Sequence, residues 1–196
     1  MYSSVVTHLR GFNVYGIDFR SHGLSERGDV SDWNGFQRDV EAAFAEISNH
    51  SHTETFIGVG ISSGASAHIL NAAHNSTLYD RLILCEPIMF APGADLSHRQ
   101  ALAMSAQKRR SDFASKDEVF QRFSERGSLS HLSASALGLY ATYGFVENEI
   151  GVTLRCHKSD EEAILSLWSS QWSVRSAGQN FCSDASCIRR TFNDCY

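Results

Sequence analysis

Five residues carry the densest chemical signal in this 196-residue chain: Gly60-Ile61-Ser62-Ser63-Gly64, which read G-x-S-x-G. The pattern gains meaning from its flanks. Thr55–Ile61 is a short apolar run of strand type, and Ser63–Ala73, rich in Ala, Ile and Leu, is of helix type. A serine at the tip of a sharp strand-to-helix turn has strained backbone angles, and side chains at the flanking positions would collide, so Gly60 and Gly64 leave room. Such a turn lifts the Ser62 hydroxyl clear of the sheet. It also aims the first N–H groups of the helix, that of Ser63 first, at the place where an oxyanion would develop. The chemistry is acyl transfer with Ser62 as nucleophile. As a bare pattern the same residues describe a glycine-bearing helix start with a serine cap. A third reading is phosphate binding by Gly58, Gly60 and Gly64, but their spacing is G-x-G-x-x-x-G and no G-K-[S/T] follows.

A serine nucleophile needs a base and a carboxylate. Nine histidines are available: His8, His22, His50, His52, His68, His74, His98, His131 and His157. His22 falls in the turn after an apolar run, on the sheet end expected for Ser62, and is the candidate base. His68, six residues past Ser62, points away down the helix. His131 and His157 fall in a later helical block. Glu86, at the end of the next apolar run, is the candidate acid; the competing role is bonding of loop N–H groups. Asp18 is read as a turn brace.

The elements that must position these residues alternate. Asn13–Phe19 is predicted as a buried strand, and Asp32 as the cap of a helix whose inner face is Trp33, Phe36, Val40, Ala43, Phe44 and Ile47. Strand 55–61, helix 63–73 and strand 81–88 follow, an order that demands parallel pairing. From 96 the pattern is helical, over 96–110, 116–126 and 133–143, with no strand between them. Ser115/Glu118 and Ser159/Glu162 read as capping boxes, Gly144 as a helix stop, and Gly151–His157 as one short extended piece. The predicted fold class is α/β: an incomplete parallel sheet flanked by helices, with a helical cap. Residues 1–95 form the partial core, 96–168 the cap and 169–196 an irregular tail.

Composition excludes other classes. The net charge of −5 and the short basic clusters Lys108-Arg109-Arg110 and Arg189-Arg190 argue against nucleic acid. No apolar run approaches the roughly 18–20 residues of a membrane span. No secretory signal is visible, and the five cysteines include no C-x-x-C pair, which predicts reduced thiols, a cytoplasmic location, no metal and no cofactor.

Gly11-Phe12-Asn13-Val14-Tyr15-Gly16-Ile17-Asp18-Phe19-Arg20-Ser21-His22-Gly23-Leu24-Ser25 resembles the α/β-hydrolase stretch G-(F/Y)-x-V-x-x-x-D-x-R-G-H-G-x-S, with Ser21 where glycine is usual. Gly60–Gly64 matches that superfamily's nucleophile elbow, and Cys85-Glu86-Pro87-Ile88 resembles the next strand of a subgroup. The similarity covers about residues 5–168. It implies a serine-type hydrolase with a helical cap, acting on an ester or related acyl bond of a small apolar substrate. Serine in place of aspartate at the elbow argues against haloalkane dehalogenase or epoxide hydrolase chemistry. At about 30 residues per strand–helix unit, eight strands need roughly 240 residues. The chain is therefore expected to be a fold truncated at both ends, without the family's triad histidine and acid. Two functions follow: a serine hydrolase, or a catalytically inactive pseudo-hydrolase that binds a ligand or partner. Open sheet edges would favour self-association.

Overall fold

In the computed structural model, residues 3–52, 55–88, 95 and 97–167 are described. The predicted tail over 169–196, with Cys182, Cys187 and Cys195, lies outside them. The chain divides into two compact units: one gathers Met1–Gly28 and Ala101–Leu165, the other is built on Asp29–Gln100. A four-residue helix, α1 (Ser3–Val6), precedes the first long element.

The unit holding Ser62 is a parallel strand pair under two helices. Asp32, in extended conformation, accepts a hydrogen bond from Asn34 N and starts α2 (Trp33–Ser51). The helix then buries Trp33, Phe36, Val40 and Phe44 on one face, as their spacing predicts. β1 (Phe56–Ile61) leads into α3 (Ser63–His74) and then β2 (Tyr79–Cys85), which pairs parallel to β1 with Ile61 opposite Cys85. The third predicted strand is thus shifted towards the N-terminus, and Glu86 lies just past its end. Phe44 stacks on Phe56 with ring centres 4.3 Å apart and meets Tyr79 edge-on at 5.2 Å. Gly58 leaves room for side chains of the neighbouring strand and of α3, since a methyl group there would sit 2.7 Å from Leu82, 2.8 Å from Tyr79 and 3.2 Å from His68. The opposite face of the strand pair is exposed at Ile57, Val59, Ile61 and Ile83.

Asn13–Phe19 forms no strand. Strand identity requires a ladder partner. Among the described residues none pairs with this segment in a ladder, so an apolar run of the right composition lies outside any sheet, with Phe12, Val14 and Tyr15 exposed.

The other unit corrects a second expectation. α4 (Ser97–Lys108), α5 (Lys116–Glu125) and α6 (Ala134–Tyr143) are helical as read, but a two-residue strand lies between the first two, and two more follow the third, the second of these within the predicted extended piece Gly151–His157. β3 (Asp112–Phe113), β4 (Phe145–Asn148) and β5 (Gly151–Leu154) form an antiparallel sheet in the order β3-β5-β4. The sheet and helices enclose Phe113, Val119, Ala141, Phe145, Val152 and Leu154. Phe145 is 1% exposed and takes edge-on contacts from Phe113 and Tyr140 at 5.6 and 5.8 Å. The first capping box is present in part: Ser115 Oγ accepts from Glu118 N, while the Glu118 carboxylate accepts from Ala114 N and pairs with Arg110. The second is not. In α7 (Lys158–Ser166) Ser159 is already helical, and His157 O accepts from the N–H groups of Asp160 and Glu161.

The segment after Phe19 belongs to this same unit. Ser21, at φ 62°, sits in the left-handed region, which explains why glycine is usual there. Asp18 braces the turn by accepting from Leu24 N, and Arg27 closes a two-point pair on buried Asp160 at 2.9 and 2.6 Å. That contact holds the Asp160 carboxyl below its ordinary range.

Phe145→Ala is expected to lower unfolding free energy by about 3–5 kcal/mol in urea titrations. Ile150→Ala, at a position 83% exposed, is expected to stay within about 0.5 kcal/mol of the parent.

Candidate functional site

Ser62 is held by its backbone alone. Its N–H donates to Cys85 O at 2.9 Å, so the residue is tied to the end of β2. Its carbonyl accepts from Ser66 N at 3.1 Å, which opens α3. Between these anchors the backbone takes φ 54° and ψ −119°, a region that L-residues avoid at a cost of about 1–3 kcal/mol. Ser62 is exposed, and among the described residues no side chain hydrogen-bonds its Oγ.

The bend needs Gly60. A Cβ at that position would stand 2.6 Å from Ala65 N and from the carbonyl carbon of Gly64. Ser63 is the first residue of α3, so its N–H is one of the four that a helix leaves without an internal acceptor. The same applies to Gly64. These donors and the N-terminal end of the helix dipole lie beside residue 62, where they can take up negative charge.

Ser66 escapes notice in the sequence. It is 1% exposed, and its hydroxyl accepts from Ile88 N at 2.9 Å while lying 3.0 Å from Ile88 O and 3.3 Å from Ser62 O. It thus staples the elbow to the segment beyond β2. Its only signal in the sequence is its place one helical turn after Ser62.

Glu86 follows β2 immediately. Because Ile61 and Cys85 are register partners, Glu86 and Ser62 leave the sheet at the same end. Glu86 is exposed and left-handed at φ 46°, and among the described residues its carboxylate makes no hydrogen bond, so the alternative role of bonding loop N–H groups has no contact behind it.

His22, His131 and His157 belong to the other unit, and Ser62 and Glu86 to the unit built on Asp29–Gln100. His22 has a definite setting there. Nδ1 lies 2.9 Å from Arg20 O, an acceptor only, so Nδ1 carries a proton. Nε2 lies 3.6 Å from Cys156 Sγ. Burial, with Glu161 and Asp160 adding to it, pushes the Cys156 thiol up to about 11, so the sulfur keeps its proton, with His22 Nε2 and, at 3.9 Å, His157 O as the acceptors within its reach. His157 Nδ1 meets Ser159 Oγ at 2.7 Å, and His131 is exposed. His68 turns inward, with Nδ1 3.0 Å from Tyr79 Oη. Among the described residues no group of three or more His, Cys, Asp or Glu could hold a metal ion, and no helix is long and apolar enough to cross a membrane.

Residues 2–136 match the family model Hydrolase_4, described as serine aminopeptidase, S33. A comparison with curated proteins finds no match. Among solved structures the chain is similar to E-2-(acetamidomethylene)succinate hydrolase, with 19% identity over 87% of this chain and 61% of that one at a TM-score of 0.73. It is also similar to an α/β hydrolase from Novosphingobium aromaticivorans, with 18% identity over 81% and 55% of the two chains at a TM-score of 0.62. A third is N-formylmaleamic acid deformylase from Pseudomonas putida, with 20% identity over 85% and 59% at a TM-score of 0.57. The chain therefore spans less than two thirds of the length of each, and the likeness establishes the partial α/β-hydrolase fold.

Burial lowers the His68 imidazole to about 4. Below pH 6.5 the unfolded chain binds a proton that the folded chain refuses, so stability falls as pH drops from about 6.5 to about 4. The loss assigned to His68 is about 3 kcal/mol. His68→Gln is expected to remove that part of the slope when urea unfolding is followed across this window.

Proposed function

The chain belongs to the α/β-hydrolases, in the family described as serine aminopeptidase, S33, and on that basis we propose serine-type hydrolysis of an ester or related acyl bond in a small apolar substrate. The observation that carries this reading is the backbone of Ser62, bent to φ 54° and ψ −119° between Cys85 O and Ser66 N with its side chain exposed. A serine that only capped α3 would turn its hydroxyl back to the helix N–H groups. Ser62 makes no such bond.

In this mechanism Ser62 Oγ attacks the acyl carbon and loses its proton to a base. The carbonyl oxygen becomes an oxyanion on the Ser63 N–H, next to the N-terminus of α3. Collapse of the tetrahedral intermediate expels the alcohol or amine, which takes the proton, and water then releases the acyl group by the same steps in reverse. The reading leaves base and acid to His22 and Glu86. His22 presents Nε2 as its basic nitrogen when the ring is neutral, with Nδ1–H oriented by Arg20 O.

One observation favours a second reading, the pseudo-hydrolase that binds without turnover: among the described residues neither imidazole nor carboxylate bonds Ser62.

A fluorophosphonate probe separates the two. Covalent labelling of the intact chain, followed by mass spectrometry and reduced to background in Ser62→Ala, is the outcome expected for an activated serine. Labelling that persists in Ser62→Ala removes Ser62 from the mechanism. A parent chain that does not label is the result expected of the pseudo-hydrolase.

A further inference from the structure

A cavity of about 210 Å³ opens within the unit formed by Met1–Gly28 and Ala101–Leu165. Its wall carries three charged side chains. Arg109 and Arg155 bring two guanidinium groups, and Glu161 brings one carboxylate. Arg109 Nη2 stands 2.5 Å from Glu161 Oε2, so these two charges cancel. The His22–Cys156 pair, joined as described above, lines the same space.

Arg155 is the charge left over. Its backbone N–H donates to Gly144 O at 2.9 Å and its Nε to Tyr143 O at 3.2 Å, at the C-terminal end of α6. These two bonds fix the guanidinium on the cavity wall. Among the described residues no carboxylate pairs with it. The terminal nitrogens of an arginine form a planar fork that fits a carboxylate at two points, and a charge-assisted pair of this type is stronger than a neutral hydrogen bond. With Arg109 neutralised, the wall carries a net charge of one positive unit apart from His22. That matches a monoanion. Tyr143, Tyr140 and Leu154 supply apolar surface for the rest of the molecule. The volume is below the roughly 300–1,000 Å³ of a drug-sized site, which limits the occupant to a small molecule.

We propose that this cavity is a binding site for a small organic carboxylate, with Arg155 as its charge partner and the two tyrosines against its body. The site shares one lining residue, His22, with the hydrolytic reading, but Ser62 is not part of its wall and occupancy does not depend on that serine. A ligand seated here lies against the Cys156 thiol, which gives a local reporter.

Phenylacetate is a suitable probe, with phenylacetamide as its neutral counterpart, each titrated calorimetrically into the full chain. Saturable binding of phenylacetate is expected, with phenylacetamide weaker by about tenfold or more, because the charge-assisted pair is lost. Arg155→Gln is expected to weaken phenylacetate by a similar factor, and Arg155→Lys, which keeps the charge without the fork, to fall between. Saturating phenylacetate is expected to slow iodoacetamide alkylation at Cys156, located by peptide mapping, while leaving exposed Cys85 unaffected. Equal affinity for acid and amide overturns the proposal. So does an Arg155→Gln chain that folds and binds phenylacetate as the parent does, which would make Arg155 a helix C-terminal anchor only. Absence of binding by the parent overturns it as well. The acid–amide comparison uses the parent chain and stands even where Arg155→Gln does not fold. Ser62→Ala is expected to bind phenylacetate unchanged while losing fluorophosphonate labelling, so failure of the cavity and failure of the hydrolase reading are told apart.

Discussion

The backbone of Ser62 cannot relax. Cys85 O holds its nitrogen and Ser66 N holds its carbonyl. One bond belongs to the end of the parallel pair, the other to the first turn of α3, and the two directions are compatible only through a left-handed bend. Relieving the strain would break a ladder bond or unwind a helix. The cooperative formation of sheet and helix is what sustains a conformation that an isolated serine would leave at once. Gly60 and Ser66 serve the same end. Gly60 gives the space in which α3 can start so close to β1, and Ser66 ties the helix to the chain beyond β2.

The two units rest on different physics. Around Ser62, an amphipathic helix and a helix rich in small residues cover one face of two strands, and Phe44, Phe56 and Tyr79 fill the middle. In the other unit, a small antiparallel sheet is held by aromatic rings meeting edge to face, and by charged pairs that fix the turn after Phe19. Arg27 and Asp160 are the clearest of these. The carboxylate is buried and has a two-point partner, which is the arrangement that makes a buried charge tolerable.

Much of this could be read from residue order, for identifiable reasons. Asp32 before a stripe of Trp33, Phe36, Val40 and Phe44 leaves little choice but a capped amphipathic helix. The glycines around Ser62 announced a sharp turn because only a crowded turn needs them there. The losses have physical reasons too. Strands of two and four residues are too short to show a period, so β3, β4 and β5 passed as helical connections and a single extended piece. Asn13–Phe19 has strand composition, but pairing is a property of two segments and cannot be seen in one. His22 and Cys156 are 134 residues apart, and Arg27 and Asp160 are 133 apart, so no local pattern could join either couple. Ser159 matched a capping box in spacing, yet His157 O took the helix start two residues earlier than a box would.

The discontinuity of one unit bears on how the protein comes into being on the ribosome. Its first 28 residues have their structural counterparts only after residue 100. At about 5–20 residues per second, Asp160 emerges about 7–27 seconds after Arg27, which lies 133 residues earlier. During that interval the segment with exposed Phe12, Val14 and Tyr15 waits without its fold, while the inserted parallel pair already has all its own parts. Vectorial synthesis therefore favours assembly from the inside outward, with the segment up to Gly28 finding its place after the parallel pair that follows it.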